Sequence, residues 1–538
     1  MYPPPAAADE VAAELALVRP GLTAGFRAEL PRARAAVLTR LWRALAHEPL
    51  PWVEARDRSA DGVTLRLRDG RRLHGPAADP YATRAYAPAV DLDGRPYDDP
   101  ARLLAALAVP HGDGFAAELA HSAASLALSR AAQRELPDET PTRDREWEQR
   151  VVDGHPYHPN CRARPGFSVA EQFAYAPEHR PLVRLGLVPV PADRALVSGD
   201  WPDALRAGSR LLVPVHPWQA AHVLKPRHDE ERLRHDGERR RNDDERRRYT
   251  EAGHTHTPAH NHRHHHHPYD DNRPAHPLMS LRTLALPAGP HVKTALSARL
   301  TSSVRDISVP SVTSSALLSA FAERLAARTD GLLHITRTLG AVTDGTPELA
   351  AVLRESPEVY AGRGERVVPV AALPLTGLPE SAAWLTDFAR LVLAVGLRLL
   401  ELGVALEAHG QNLLVVLSAE DAPVRLVYRD LADIRVSPAR LAGHGIEVPA
   451  LPARILADDQ DALRRKLFGS LVAGTLAATA GSGPALGAVL DAALADLPRT
   501  PDTRALREGP VPAKALTLMR LTPDRQGDLW AELPNPLR

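Results

Sequence analysis

Four polar residues that could bind a metal ion and a carboxylate follow directly after a long apolar segment. Residues 384–406 contain no proline and predict a buried helix. This helix leads into Glu407-Ala-His-Gly-Gln-Asn412, and residues 413–417 and 424–428 then predict a β-hairpin. The hairpin would return Asp430 to the loop from which it started.

The oxygen atoms of this segment suit magnesium and phosphate chemistry. Glu407, Asn412 and Asp430 are hard ligands of the kind that hold a hydrated Mg²⁺ against phosphates. Protein kinases place a catalytic-loop Asn and a later metal-binding Asp in the same order. The alternative is that these polar residues only terminate a buried helix. The segment by itself favours a nucleotide and metal site.

A second set of polar residues follows a predicted strand over 291–301. Its period of two separates an apolar face from a polar one. The polar face carries Lys293, Ser297, Arg299 and Thr301. Residues 301–305, Thr-Ser-Ser-Val-Arg, could direct hydroxyls, backbone N–H groups and a guanidinium at phosphate oxygens. A solvent-facing strand would also point Lys and Arg outward, but the following hydroxyl-rich turn favours a phosphate site.

A basic loop lies earlier in the chain, at residues 153–167. Two His-Pro pairs hold this loop extended, because the residue before proline avoids helical conformation. The loop concentrates His155, His158, Arg162 and Arg164, which could all donate to a polyphosphate. A solvated basic turn is the alternative. His216, in His216-Pro-Trp-Gln219, stays open as either a packing residue or a site residue.

Residues 225–277 differ in composition from the rest of the chain. Runs of Arg and Asp and the tract His264–His267 make this segment polar and low in complexity, so we expect a disordered surface insertion. A His-rich tract can also bind metal. We expect any such metal affinity to be adventitious.

Composition excludes several classes of protein. The formal net charge of +0 over 538 residues argues against nucleic-acid or anionic-membrane partners. Cys161 is the only cysteine, which rules out an intrachain disulfide and a cysteine-based metal cluster and suits a reducing cytoplasm. The amino terminus lacks the pattern of a signal peptide. Residues 468–490 carry no charge, but Gly481-Ser-Gly-Pro484 interrupts them, so two packed helices are expected instead of a membrane span.

Taken in order, these motifs resemble the NRPS-independent siderophore synthetases, the family of the aerobactin, achromobactin, alcaligin and desferrioxamine synthetases. The resemblance extends from about residue 111 to residue 535. It rests on Gly-His-Pro-x-His-Pro, Val-His-Pro-Trp-Gln, Ser-x-Arg-Thr, Lys followed by Thr-Ser-x-x-Arg, Glu-x-His-Gly-Gln-Asn and Arg-Asp. Each motif is weak alone, but the six occur in the order of the family.

The resemblance implies an α+β fold shaped like a cupped hand. A mostly helical thumb would span 1–140, β-rich fingers 141–375 with the insertion at about 225–277, and a mixed palm 376–538. ATP, with Mg²⁺, would bind between fingers and palm. The implied activity is adenylation of citrate or a related carboxylate, followed by condensation with an amine or hydroxyl in siderophore biosynthesis. No nucleic-acid or membrane partner is expected, and a homodimer is left open.

The resemblance also assigns residues. The reaction centre would hold Arg305, His409 and Gln411, and the metal side Glu407, Asn412 and Asp430. The nucleotide and carboxylate would contact His155, Arg162, Arg164, Ser280, Arg282, Thr283, Lys293, Thr301, Ser302 and Ser303. The chain departs from the family at Arg162, where Lys is common, at Ser125, where Asn is frequent, and in its longer insertion. The Glu-x-His-Gly-Gln-Asn loop is intact, so we expect an active enzyme.

Two other functions compete with this one. A small-molecule kinase could use a similar loop, hairpin and Asp, but kinases place a proton-accepting Asp ahead of the catalytic Asn. The loop before Asn412 has none. A ferric-siderophore reductase resembles the carboxy-terminal half of the family, but it needs several cysteines for its iron–sulfur cluster. The single cysteine argues against that function.

Overall fold

The computed structural model describes residues 7–84, 86–137, 139–227, 273–287, 289–300 and 303–538. Thr301, Ser302 and most of the predicted insertion, residues 228–272, lie outside this part of the chain.

The amino-terminal region packs long helices against a small antiparallel sheet. The helices are α1 (Ala7–Val18), α2 (Thr23–His47), α3 (Pro100–Leu107) and α4 (Gly112–Gln133). The sheet runs in chain order through β1 (Val53–Ser59), β2 (Gly62–Leu67), β3 (Arg72–Gly75), β4 (Val90–Leu92) and β5 (Arg95–Tyr97). Apolar faces of α2, α4 and the sheet share one core. The region is therefore less purely helical than its sequence suggests.

The middle region is organised by a nine-stranded antiparallel sheet. After α5 (Asp144–Glu148) and α6 (Val169–Tyr175) come β6 (Val183–Pro191), β7 (Leu196–Gly199), β8 (Arg206–Ala207), β9 (Arg210–Val215) and α7 (Pro217–Gln219). The chain then forms β10 (Arg273–Pro277), β11 (Thr283–Ala285), β12 (His291–Thr294), β13 (Leu296–Leu300) and β14 (Ser303–Arg305). Next are α8 (Val309–Thr313), α9 (Ser315–Ala326), β15 (Leu333–Ile335), β16 (Thr338–Thr343) and β17 (Ala350–Arg354). The strand order is β7-β16-β17-β12-β11-β10-β6-β9-β8.

The single strand predicted over 291–301 is two strands in two sheets. β12 lies between β11 and β17, whereas β13 pairs with β14 alone. The chain changes sheets at Ala295, whose N–H still donates to the Ala350 carbonyl. Because β12 is an interior strand, all four of its residues are buried, Lys293 included. The predicted alternation holds only within β13, where Arg299 is exposed between buried neighbours.

The carboxy-terminal region confirms the predicted helix and hairpin. β18 (Arg366–Pro369) precedes α10 (Ala382–Leu402), and β19 (Val404–Ala405), β20 (Leu413–Leu417), β21 (Pro423–Tyr428) and β22 (Arg435–Val436) follow. Gly403 ends α10 in the left-handed region, at φ +107°, with its N–H donating to two carbonyls of the last turn. One sheet has the order β15-β21-β20-β18, and its apolar side chains join α10 in the largest core.

Helices dominate the last part of the chain, together with a hairpin that the sequence did not predict. The segment comprises α11 (Pro438–Gly443), α12 (Gln460–Ser470), a π-helical turn (Leu471–Leu476), α13 (Ala477–Ala480), α14 (Gly483–Ala495), α15 (Pro501–Glu508) and α16 (Leu516–Leu521). β23 (Val511–Lys514) and β24 (Trp530–Leu533) form the hairpin. The break at Gly481 occurs as predicted. Among the described residues, no helix is long and apolar enough to cross a membrane.

One strand lies inside the segment predicted to be an insertion. β10 occupies residues 273–277 and pairs with both β6 and β11. Ala275, at its centre, is fully buried. The polar, proline-containing sequence Arg-Pro-Ala-His-Pro hides this strand, so the insertion boundary at 277 is wrong.

We therefore expect two deletions to behave differently. Replacing residues 228–272 by a short Gly/Ser linker should leave stability nearly unchanged, because the removed sequence is too polar to form a core and loop closure costs little with length. Extending the replacement through His276 should lower the free energy of unfolding by about 3 kcal/mol or more, because β6 and β11 lose the strand between them. Urea unfolding of both variants measures the difference. Equal stabilities would contradict the structural role of β10.

Candidate active site

A carboxylate held by two cations joins the nine-stranded sheet to the carboxy-terminal hairpin. Asp430 lies just beyond β21, where the backbone adopts φ +71°. Its carboxylate accepts from Lys293 Nζ at 2.6 Å and from Arg354 Nη2 at 3.1 Å. Burial alone would raise the pKa of Asp430, but Arg354 and Lys293 hold it well below its usual range. Burial also lowers the pKa of Lys293 to about 7, although Asp430 opposes that shift.

Two further arginines, Arg282 and Arg305, lie near Lys293, Arg354 and Asp430. Arg282 Nη1 donates to the carbonyls of Arg305 and Asp306, so the Ser280-Leu-Arg-Thr283 segment is bonded to the turn after β14. Burial lowers the pKa of Arg282 to about 10. The nearby Arg305 and Arg354 lower it further, whereas Asp430 opposes the shift. The Arg305 guanidinium is partly exposed and has no hydrogen-bond partner among the described residues. Arg305 is therefore the cation of this cluster that is available to a ligand.

The Ser280 and Thr283 side chains have different roles in that segment. The Ser280 hydroxyl accepts from the Thr283 N–H at 3.1 Å and closes a tight turn. Thr283 begins β11 opposite Lys293. Of the predicted hydroxyl-rich turn, Ser303 begins β14, while Thr301 and Ser302 lie outside the described residues.

The predicted polar loop folds around one tyrosine hydroxyl. Tyr428 Oη accepts from the Glu407 N–H at 3.2 Å and donates to the Asp430 carbonyl at 3.3 Å. Asn412 Nδ2 donates to the Glu407 carbonyl at 3.2 Å. Glu407, Asn412 and Asp430, the three predicted metal ligands, therefore lie close together, as expected if the hairpin returns the chain to the loop.

The carboxylate of Glu407 is already occupied by two lysines. It lies 2.8 Å from Lys514 Nζ and 3.0 Å from Lys466 Nζ. Burial alone would raise the pKa of Glu407, but Lys514, His409 and Lys466 lower it to about 2. No sequence pattern indicates either lysine, because both lie more than fifty residues downstream of the loop.

Magnesium suits this cluster as an ion carried with a nucleotide. In the described ranges, no three His, Cys, Asp or Glu side chains are arranged to hold a metal by themselves. Mg²⁺ usually takes one or two carboxylates and completes its shell with phosphates and water. Asp430 and Asn412 supply oxygens of this type beside Lys293. The Glu407 carboxylate could bind the same ion only if its contacts with Lys466 and Lys514 were broken.

His409 is half-buried and has one ring nitrogen engaged. Its Nδ1 accepts from the Gln411 N–H at 3.3 Å, so the proton of the neutral ring lies on Nε2, which can donate to another partner. Burial lowers the pKa of His409, although Glu407 opposes that shift, so the neutral form of the ring is favoured at pH 7. Nε2 can accept a proton only after the ring proton has moved to Nδ1, which gives up the contact with Gln411.

Two histidines of the basic loop approach this centre. Burial lowers the pKa of His155 strongly, and His158 and His409 reinforce the shift by their proximity. His158 has a pKa of about 3 because it is buried and faces Arg305 and Arg520. Neither ring nitrogen of His158 has a hydrogen-bond partner among the described residues. The two rings therefore lie near His409 and Arg305.

Arg162 and Arg164 occupy a different environment. Both are buried against Glu178, at 3.4 and 2.6 Å, and Glu178 itself is fully buried. They are neither open phosphate donors nor a solvated turn, because their charges neutralise an interior carboxylate. The structure thus separates these two arginines from the loop histidines.

The Val-His-Pro-Trp-Gln segment supports the phosphate-side strands. His216 is fully buried and its Nδ1 accepts from the Trp218 N–H, which caps α7. Gln219 Oε1 accepts from the Ser297 N–H at 2.7 Å, and its Nε2 donates to the Ser297 hydroxyl at 2.9 Å. His216 is therefore a packing residue, whereas Gln219 fixes the strand before Arg305.

Glu148 connects three of the motifs, and sequence reasoning missed it. One oxygen lies 2.6 Å from Arg429 Nη1 and the other accepts from the Met279 N–H at 2.8 Å. Arg429 in turn donates to the Gln411 carbonyl at 2.8 and 3.0 Å. Arg429 could have been suspected from the Arg-Asp motif. Nothing around Glu148 in the sequence distinguishes it from a surface helix residue.

A cavity opens beside the Asp430 cluster. Lys293, Arg354 and Asp430 line it, together with Arg454. The remaining lining combines hydroxyl and apolar side chains, among them Ser311, Ser314, Thr336, Thr338, Leu318 and Val352. A polar group of a ligand could therefore reach the cations while an apolar part packs against the apolar side chains.

Glu178→Gln should be strongly destabilising if Arg162 and Arg164 are structural. Removing one partner of a buried ion pair costs about 3–5 kcal/mol, here with two guanidiniums left uncompensated. Arg162 and Arg164 hold the pKa of Glu178 far below its usual value of 4.5 despite burial. Its contribution is complete above pH 4.5 and is lost as the pH falls towards the folded pKa.

Urea unfolding of Glu178→Gln between pH 3 and 8 measures this effect. The difference from the unsubstituted protein should shrink below about pH 4.5. Glu135→Gln, at an exposed position beyond α4, is the matched control and should be neutral. A stable Glu178→Gln variant would return Arg162 and Arg164 to the list of candidate ligand-binding residues.

Comparison with known proteins identifies two matching regions. The model of the IucA / IucC family matches residues 144–238 and 253–374. The model described as ferric iron reductase FhuF-like transporter matches residues 382–529. The first region holds the nine-stranded sheet and Lys293, and the second holds the His409 loop and Asp430.

Individual relatives agree with the family match. The citryl-spermidine/3,4-dihydroxybenzoyl-citryl-spermidine:spermidine ligase of Bacillus anthracis is 25% identical over 334 residues, 53% of this chain and 50% of the ligase. The chain spans about half the length of the curated relatives that it matches.

Solved structures match over nearly the whole chain. The petrobactin biosynthesis protein AsbB from Bacillus anthracis str. Sterne has a TM-score of 0.74 at 19% identity, covering 97% of this chain and 98% of that one. ATP-bound aerobactin synthetase IucA from Klebsiella pneumoniae has a TM-score of 0.68 at 19% identity, covering 94% and 99%. The α+β fold expected from the motifs is confirmed, and over residues 144–238 and 253–374 the chain is similar to the IucA / IucC family.

Proposed function

We propose that this protein is an ATP-dependent ligase of siderophore biosynthesis, which activates citrate or a related carboxylate and condenses it with an amine or hydroxyl. The observation that carries this proposal is the cluster of Lys293, Arg282, Arg305 and Arg354 around the carboxylate of Asp430. Four cations surround this carboxylate, and Lys293, Arg354 and Asp430 border a cavity. The cluster is built for an anion.

The first step joins two anions. An ionised carboxylate oxygen attacks the α-phosphorus of ATP, a C–O–P linkage forms, and the bond to the β-phosphate breaks to release pyrophosphate. No proton has to be removed, so the site needs cations more than a base. Lys293 and Arg305 are placed to offset the repulsion. Mg²⁺ held by Asp430 and Asn412 would neutralise further phosphate charge.

The second step requires a proton acceptor. The amine or hydroxyl attacks the acyl carbon, a C–N or C–O bond forms, and AMP leaves with the electron pair of the broken C–O bond. The nucleophile must lose a proton during this step. His409 is half-buried and is the residue in the loop best suited to accept it, provided that its ring proton moves to Nδ1 and the contact with the Gln411 N–H is given up, which leaves Nε2 unprotonated.

The relatives support the same chemistry. The Bacillus anthracis relative is named as a citryl-spermidine:spermidine ligase, and the IucA structure is described as ATP-bound. Both descriptions agree with an ATP, carboxylate and amine system in this chain. The kinase alternative receives no comparable support. A homodimer stays a prediction.

The nucleotide products distinguish the two mechanisms. With ATP, Mg²⁺, citrate and hydroxylamine, we expect a hydroxamate together with equal amounts of AMP and pyrophosphate, measured by ion-exchange chromatography and a coupled pyrophosphate assay. Omitting the carboxylate should abolish pyrophosphate release. Stoichiometric ADP and phosphate would instead show phosphoryl transfer and refute the adenylation mechanism.

Arg305→Ala should impair catalysis far more than a neighbouring substitution. Loss of a charge-assisted contact that strengthens in the transition state costs about 3 kcal/mol in kcat/KM, or roughly a hundredfold. Arg299→Ala is the matched control, because Arg299 lies exposed on the adjacent β13. Thr294 is unsuitable as a control, since its hydroxyl donates to the Arg282 carbonyl at 3.2 Å. Similar kcat/KM values for both arginine variants would mean that Arg305 is only structural.

A further inference from the structure

A widened helical turn lies directly against the His409 loop. Residues 471–476, between α12 and α13, have π-helical hydrogen bonding, and the Ala477 N–H donates to the Val472 carbonyl five residues earlier. A Cβ atom on Gly474, within this turn, would lie 3.7 Å from His409 Cβ. π turns inside α-helices are uncommon and are frequently found at functional sites.

Two hydroxyls at this turn hold both backbone groups of Ala408. Ser470 Oγ accepts from the Ala408 N–H at 3.0 Å, and Thr475 Oγ1 donates to the Ala408 carbonyl at 2.6 Å. Thr475 is fully buried and Ser470 nearly so. Ala408 lies between Glu407 and His409 in the sequence. The two hydrogen bonds to Ala408 therefore also restrict the positions of Glu407 and His409.

The helix must widen for both contacts to form. In an α-helix, residues five apart point about 140° away from each other, because each residue advances the helix by about 100°. In a π turn the i to i+5 hydrogen bond stacks such residues on one face. Ser470 and Thr475 are five residues apart, and the wider turn directs both hydroxyls towards Ala408.

The same helix carries a second attachment to the loop. The Ser470 hydroxyl can donate to the Lys466 carbonyl at 2.8 Å while it accepts from Ala408, which satisfies its donor and one acceptor position. Lys466, one turn earlier, places its ammonium 3.0 Å from Glu407. One helical segment, residues 466–475, therefore binds both the Glu407 side chain and the Ala408 backbone of the loop.

We infer that the π-helical turn fixes the position of the loop that carries His409, with Ser470 and Thr475 as its positioning residues. The expected effect on catalysis rests on the proposed function, in which this loop belongs to the reaction centre. The anchoring itself is a matter of geometry. It can be measured without any substrate.

Thr475→Val and Ser470→Ala remove the two contacts with little change in volume. We expect amide hydrogen exchange of the segment around Ala408 to become roughly tenfold faster in each variant, as the loop opens more often. The kcat for hydroxamate formation should fall tenfold or more, because small displacements at a reacting centre are costly. The KM for ATP should change less than about threefold, since the Lys293 cluster is untouched.

Thr479→Val is the matched control. Thr479 is also buried on this helical segment, but its hydroxyl donates only to the Thr475 carbonyl. Thr479→Val should leave exchange and kcat unchanged, and Thr475→Ser, which keeps the hydroxyl, should restore both. Exchange and kcat in Thr475→Val equal to those in Thr479→Val would overturn the inference. If Thr475→Val does not fold, Ser470→Ala decides by the same two measurements.

The two hypotheses fail in distinguishable ways. A wild-type protein that releases no pyrophosphate would refute the proposed function, whatever the exchange rates of the variants. An active wild-type protein whose Ser470 and Thr475 variants show unchanged exchange and kcat would refute only the positioning role.

Discussion

The ion pair between Lys293 and Asp430 is the contact on which the arrangement of the site depends. Lys293 belongs to an interior strand of the nine-stranded sheet, and Asp430 ends the carboxy-terminal hairpin. These elements come from regions matched by two different family models. A buried pair of this kind adds little stability over an apolar contact, but leaving either partner alone is costly. It therefore specifies how the two regions meet.

The backbone around this pair is arranged to keep it in place. Glu148 and Arg429 connect the segments before Ser280, before Asn412 and before Asp430 through buried hydrogen bonds. Tyr428 joins the Glu407 and Asp430 backbones through one hydroxyl. Because most of these bonds join segments that are distant in sequence, displacement of one motif would displace the others. The weak individual motifs thus form one connected site.

Local patterns predicted the elements of this site better than its environment. The helix before Glu407, the hairpin that returns Asp430 and the polar loop between them follow from apolar periodicity and turn residues. The burial of Lys293 does not, because alternation along 291–301 cannot show that the chain changes sheets at Ala295. Arg162 and Arg164 illustrate the same limit. A run of basic residues has the same sequence whether it faces a ligand or a buried Glu178, and only the tertiary partner separates the two.

The charges of the site also explain how an anionic ligand could enter without exposing buried ions. The carboxylate of Asp430 accepts from both Lys293 and Arg354, so one negative charge is shared between two cations. A polyphosphate accompanied by Mg²⁺ brings both an anion for the lysine and arginine and a cation for the aspartate. Each partner of the existing pair would then exchange one opposite charge for another, and no buried ion would be left alone. Arg305 has no such partner among the described residues, so a ligand would newly compensate its charge. That difference is why Arg305 should show the larger catalytic effect of a single truncation, while Lys293 and Asp430 are coupled in stability as well as in binding.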